Sequence, residues 1–215
     1  MRGIIYKDIC LFFRSVEKRM LLLVGAVLIV LAVKGGVYAG LLASLMLDMA
    51  VGIQNVLVFA NEEKVEWVKY QRTLPVGKGK VVTGKYTAVL TTVLVSLAGA
   101  VGFNLSAFAL YRTFLPLVLG VSVLLSVVIP VTWAAVSLPF CYWFGFQTAQ
   151  YANAVLIFPI FFVIKNFEDG LWTVTGLVSF MGENQYLYLL LGLLAVGGMF
   201  LLSVVISAAG YCHRR

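Results

Sequence analysis

The sequence predicts an all-α, polytopic membrane protein with six transmembrane helices and both termini in the cytoplasm. Three observations carry that expectation. Hydrophobic residues make up 62% of the 215 and charged residues 12%, against about 45–50% and about 25% in soluble globular chains. Mean hydropathy is +1.01, and a soluble domain of this length lacks the interior to hide so much apolar surface. Uncharged stretches of membrane-crossing length recur along the whole chain. The same composition excludes disorder. The 16 Lys+Arg against 9 Asp+Glu leave a formal net charge of +7. The cations cluster in short segments between apolar runs, which points to membrane orientation and lipid headgroups rather than nucleic acid.

A single transmembrane domain, 1–215, accounts for the elements in order. Residues 1–19 form an amphipathic approach to the membrane. The first crossing is expected at 20–34, a short apolar run that Lys18, Arg19 and Lys34 extend by snorkelling. The second, 37–60, is interrupted only by Asp48. A charged segment follows at 61–85, then a third crossing at 86–105. Residues 113–164 are uncharged throughout, too long for one crossing and right for two, at 114–138 and 148–164. Pro139 with Tyr142, Trp143 and Phe144 marks the division, and Pro130 kinks the fourth crossing without ending it. An outward segment, 165–187, sets Glu168, Asp169 and Glu183 around an apolar stretch too short to span, which fits a re-entrant or surface-lying pair of helices. The sixth crossing is 188–210. With the N-terminus inside, Lys34, Arg112 and Lys165 are the basic residues left outside and all others lie inside, as the positive-inside rule requires. The first apolar run is not expected to be a cleaved leader, because no A-x-A-like site follows it.

Little in the chain suggests chemistry of its own. Cys10, Cys141 and Cys212 form no C-x-x-C pair or zinc spacing and are expected to be reduced packing residues. His213 is the single histidine, and no H-E-x-x-H, G-x-S-x-G or paired-carboxylate arrangement occurs. Residues 79–85 imitate the opening of a phosphate-binding loop, but Tyr86 stands where Ser or Thr would hold magnesium, and no strand precedes them. The chain is therefore expected not to be an enzyme and to hold neither a cofactor nor a metal. Energy must come from a partner or a gradient. Gly36-x-x-x-Gly40 permits close helix approach, between two copies or within one.

Two segments on the inner side are amphipathic. In the first, Ile5, Ile9, Phe12 and Val16 share one helical face and Lys7, Arg14 and Lys18 another, so the three cations are expected to anchor the helix to anionic headgroups. In the second, Asn61 can cap a helix with Glu62 and Glu63 in its first turn and Lys69 and Arg72 later, complementing the helix dipole. Pro75 and Gly77 stop it. Trp67, Tyr70 and Leu74 fall on one face, and an aromatic-faced, charged stalk is a docking element for another protein. Asp48, near the middle of the second crossing, costs about 2.5–3.5 kcal/mol on insertion scales and must face the bundle or a wet cavity. Asn55, seven residues on, shares its face. Either the pair lines a translocation path for cationic or amphipathic cargo or forms a gating pair, or Asp48 bonds across to a polar side chain of another helix.

E-W-V-K-Y-Q-R-T-L-P-V-G-K-G-K-V-V-T-G-K-Y at 66–86 resembles a signature of bacterial ABC-transporter permeases of the type-2 class, in which W-x-x-Y-x-x-x-L-P-V precedes a basic stretch ending in K-Y. The opening M-R-G-I-I-Y-K-D-I resembles that family's start, and S-L-P-F-C-Y-W-F-G-F at 137–146 its S-L-P-x-x-x-x-F-G stretch. The family usually carries a basic residue before that Phe-Gly and an acidic one soon after; here Trp143 and Gln147 stand there. The branch the chain resembles most is that of peptide-toxin exporters, which includes phenol-soluble modulin exporters.

The resemblance implies one half of a dimeric channel, paired with itself or a close paralogue. A separate cytoplasmic ATPase subunit, which holds ATP and magnesium, drives it. The coupling helix between spans two and three fits that subunit. It then implies an ATPase-coupling role for Glu63, Glu66, Trp67, Tyr70, Leu74 and Pro75, and export of a peptide or an amphipathic or lipophilic molecule from a bacterial plasma membrane. The alternative is a membrane scaffold, immunity or sensor protein that docks a soluble partner without transport. A secondary transporter is disfavoured, since Asp48 alone is ionisable within the crossings, too little for a proton relay.

Overall fold

The computed structural model describes residues 2–16, 24–28, 30, 36–65, 67–71, 73, 77–113, 115–168 and 185–213. Among them the regular structure is entirely helical: α1 (Arg2–Arg14), a 3-10 turn (Gly36–Tyr38), α2 (Ala39–Lys64), α3 (Trp67–Gln71), α4 (Lys78–Tyr111), α5 (Pro116–Phe144), α6 (Phe146–Glu168) and α7 (Gln185–His213). Four stretches of the described residues are long and apolar enough to cross a membrane: Ala39–Lys64, Gly79–Tyr111, Pro116–Phe144 and Leu190–His213. They match the expected second, third, fourth and sixth crossings. The expected first crossing, 20–34, lies largely outside the described residues, and the fifth, 148–164, lies within α6. Most of the 165–187 segment is also outside them.

Helix α5 is the centre of the bundle, packing on α2, α4, α6 and α7. Its buried stripe holds Ser122, Ser126, Pro130, Ala134, Ser137 and Cys141. Small residues at near-helical repeat let backbones approach, which is how helices associate where lipid removes the ordinary hydrophobic drive. The expected division, Pro139 with Tyr142, Trp143 and Phe144, falls at the aromatic end of that stretch and not at the proline. The helix continues through both Pro130 and Pro139 to Phe144, and the chain breaks at Gly145, with φ 90° and ψ 176°. That backbone region is open essentially to glycine alone, so the break is set by backbone freedom and not by a missing N–H.

Close approach also fixes α2. A Cβ at Gly52 would sit 2.8 Å from Cγ of Trp133 on α5, and one at Gly40 would sit 2.8 Å from Cα of Asn104 on α4. Gly40 thus serves packing within one subunit. The largest core cluster gathers Val56, Phe59, Val82, Tyr86, Trp133, Leu138, Tyr142 and Tyr211 at the α1 end of the bundle. Tyr142 lies edge-on to Phe59 at 5.2 Å and to Tyr211 at 5.9 Å. The Tyr86 hydroxyl shares hydrogen bonds with Ser203 (2.6 Å) and Ser207 (2.8 Å) of α7. Leu90, Leu94, Leu105, Leu194, Leu201 and Val205 are exposed, the outward apolar face that lipid covers in a spanning bundle. Of the cysteines, only Cys141 packs inside; Cys10 and Cys212 are exposed.

Candidate functional site

The charged stalk begins differently from its expected form. Asn61, Glu62 and Glu63 do not open a new helix; they belong to the last turn of α2, which runs to Lys64. Two carboxylates at a helix C-terminus oppose the dipole. The fold compensates each of them. Glu62, 4% exposed, is gripped by both Lys7 of α1 and Lys85 of α4. Glu63 accepts the backbone N–H of Phe146 at 3.1 Å and so caps the start of α6. The end of α2 is therefore a junction of four helices. Sequence spacing hides it, because the partners are 55, 23 and 83 residues away.

Asp8 completes the cluster. Its Oδ1 lies 3.0 Å from the Lys7 ammonium and 3.9 Å from that of Lys85. Burial raises the Asp8 carboxyl above the ordinary carboxylate range, and Lys85 and Lys7 draw it back only in part. Among the described residues, two cations and two carboxylates share a site that is nearly closed to water, with Lys7 the most open of the four at 23%. Neither Asp8, Glu62 nor Lys85 was singled out by sequence as a site residue. The available signal was the seven-residue spacing of Asp48, Asn55 and Glu62, which puts all three on one face of α2.

That face meets α4 in successive polar contacts. Glu62 meets Lys85, and the Asn55 amide donates to the Thr92 hydroxyl at 3.0 Å. Asp48, fully buried, lies beside Ser96 without hydrogen-bonding geometry, and its two oxygens have no hydrogen-bond partner among the described residues. Asp48 and Asn55 thus stand in the α2–α4 seam of one subunit. A small void lined by Asp8, Asn55, Lys85, Ala88 and Thr92 lies between the ion cluster and the Asn55–Thr92 contact. The next face of α2 holds α1: the Gln54 amide donates to the Phe12 carbonyl (3.2 Å) and to Ser15 Oγ (2.6 Å).

Helix α1 is accordingly turned from its expected pose. Phe12 is buried, as its apolar face requires, but Lys7 points inward to Glu62 and not to headgroups. A carboxylate held out of water attracts it more strongly than a screened surface does. Arg14 is exposed, with Tyr6 and Phe13, and Lys18 lies outside the described residues.

Beyond Lys64 the chain turns and α3 makes little more than one turn of helix. Thr73 ends it, its N–H and hydroxyl both donating to the Tyr70 carbonyl at 3.0 and 2.8 Å. The rings of Trp67 and Tyr70 are 5.1 Å apart, on one side as spacing predicts. They differ in exposure. Trp67 lies under the Lys7 ammonium, 4.6 Å from its ring centre, whereas Tyr70 is 57% exposed. Glu66, Leu74 and Pro75 lie outside the described residues. Residues 79–85, which resemble a phosphate loop in sequence, are the opening turns of α4, whose backbone N–H groups are committed to the helix from Lys80 onward. No group of three metal-ligating side chains occurs among the described residues; His213 stacks on Trp143 at 5.6 Å.

A family model described as ABC-2 family transporter protein matches residues 3–211. No curated protein matches the chain, and no solved structure does.

Proposed function

The chain belongs to the ABC-2 family of transporter proteins, and from that premise, a multi-pass permease subunit that works with an ATPase subunit, we propose that α3 is the docking element for the ATPase. The observation that carries this reading is the setting of α3. Five residues cannot hold a helix alone. This one follows α2 directly, is fixed beneath by Lys7, and holds Tyr70 outward. Trp67, Tyr70, Leu74, Glu66 and Pro75 form the contact, and Glu63 fixes the base of the stalk on α6. The chain itself hydrolyses nothing; ATP and magnesium belong to the partner.

The finer reading is an exporter of six spans with cytoplasmic termini, two copies or a copy and a paralogue forming the channel in a bacterial plasma membrane. The distribution of basic residues supports the orientation. The sparse charge of the crossings supports an amphipathic or lipophilic cargo such as a peptide of the toxin class. A passage role for Asp48 and Asn55 requires the α2–α4 seam to part during the cycle.

The test uses the permease co-expressed with its ATPase and reconstituted in inside-out vesicles, with a fluorescent amphipathic helical peptide as probe. Trp67→Ala is expected to leave ATP hydrolysis running while peptide uptake falls at least tenfold. Full co-purification of the ATPase with a triple Trp67→Ala, Tyr70→Ala, Leu74→Ala variant would overturn the docking assignment.

A further inference from the structure

Among the described residues the ion cluster touches the stalk where the Lys7 ammonium lies over the Trp67 ring. Lys7 also meets Glu62 at the end of α2 and Asp8 on its own helix. Helix α1 is in turn fixed to α2 through Gln54 and to α4 through the Asp8–Lys85 pair. Ile4 packs at 3.5 Å on the position a Cβ of Gly84 would take. One side chain thus joins a one-turn helix to a bracket that grips two spans.

We propose that Lys7 is a positioning residue for energy coupling: through its contacts with Trp67 and Glu62 it carries displacement of α3 into α1 and from there into α2 and α4. The inference rests on the docking role of α3. Its physical basis is charge balance. The cluster pairs two cations with two carboxylates out of water, so the Lys7 ammonium cannot leave Glu62 and Asp8 without stranding charge. When α3 moves, Lys7 either transmits the motion or lets go of the Trp67 ring. The attraction of an ammonium to an indole face is strengthened by desolvation, and here the Lys7 side chain is 23% exposed. A membrane anchor would need none of these contacts.

Cys10 supplies the reporter, because it is exposed on α1 while Cys141 is buried. The permease–ATPase complex, in a Cys212→Ser background and in lipid nanodiscs, is labelled at Cys10 with an environment-sensitive bimane. Fluorescence is then followed on adding ATP and vanadate. The parent complex is expected to show a nucleotide-dependent change. Lys7→Gln is expected to keep the ATPase bound and trap nucleotide normally, but to reduce that change at least fivefold. Lys7→Arg, which keeps the charge and can stack on the indole, should retain at least half of it. Trp67→Leu removes the other end of the contact and leaves Glu62 and Asp8 paired with Lys7 and Lys85, so in the fraction that still holds the ATPase it should reproduce the Lys7→Gln loss, and Trp67→Phe should not. An undiminished signal in Lys7→Gln with the ATPase bound overturns the assignment of Lys7 alone. A parent complex that binds the ATPase but whose label ignores nucleotide overturns this inference and leaves the docking role standing; a parent complex that binds no ATPase overturns the docking role of α3 and this inference with it.

Discussion

Removing the Glu62 charge is the sharpest test of the junction. Glu62→Gln keeps the shape of the side chain but turns a neutral cluster into one with an uncompensated positive charge. The Lys85 side chain is 7% exposed, so water cannot replace the lost partner. Breaking a buried pair by removing one member costs about 3–5 kcal/mol. Asp8 remains 3.9 Å from Lys85, and at an effective dielectric of about 20 that separation retains roughly 4 kcal/mol of attraction. The loss therefore falls at the low end, about 3 kcal/mol, or roughly 6–12 °C of melting temperature for a chain of this size. The assay is thermal unfolding in detergent, with a thiol-reactive dye that reaches fully buried Cys141 only on unfolding, in a Cys10→Ser, Cys212→Ser background. A double variant, Glu62→Gln with Lys85→Gln, leaves Lys7 and Asp8 as a pair and should recover most of the loss. If Glu62→Gln melts within about 2 °C of its parent, under 1 kcal/mol by the same conversion, the cluster is solvated and the argument from stranded charge fails.

Asp8 should behave in the opposite way. Its carboxyl is raised by burial, so the folded chain binds that proton more readily than the unfolded one. Its contribution to stability therefore falls as pH rises from the ordinary carboxylate value through the raised one. Asp8→Asn should flatten the melting profile across that acid window and lose no more than about 1 kcal/mol at neutral pH, since Glu62 still pairs both cations; a loss as large as that of Glu62→Gln would contradict it. Gly145→Ala forces a side chain into a glycine-only backbone region, at about 1–3 kcal/mol. Because Gly145 N–H donates to the Cys141 carbonyl at 3.1 Å and Glu63 caps the next residue, the dye should also react faster with Cys141 below the melting point. Unchanged thiol kinetics would show that the joint tolerates the change.

Four of the apolar crossings were legible in outline, because lipid forces every backbone group into a helix and demands long uncharged runs. The runs at 37–60, 86–105, 114–138 and 188–210 each overlap a helix long and apolar enough to cross. So was the pairing of Trp67 with Tyr70, which depends only on helical spacing. Helix ends were less legible. Asn61 reads as a cap, yet α2 continues past it, and of the division read at Pro139 with Tyr142, Trp143 and Phe144 the helix passes the proline and ends after the aromatics. A cap has meaning only where the chain leaves the helix, and distant partners make leaving unfavourable for Glu62 and Glu63. The sequence by itself determined that this chain lives in a membrane, that its charge concentrates at one end, and that an aromatic stalk stands there. Only the tertiary structure decided which charges meet. Lys7, Asp8, Glu62 and Lys85 come from three helices and share no local pattern, and the cost of burying Glu62 and Lys85 is offset only when the helices bring opposite charges together.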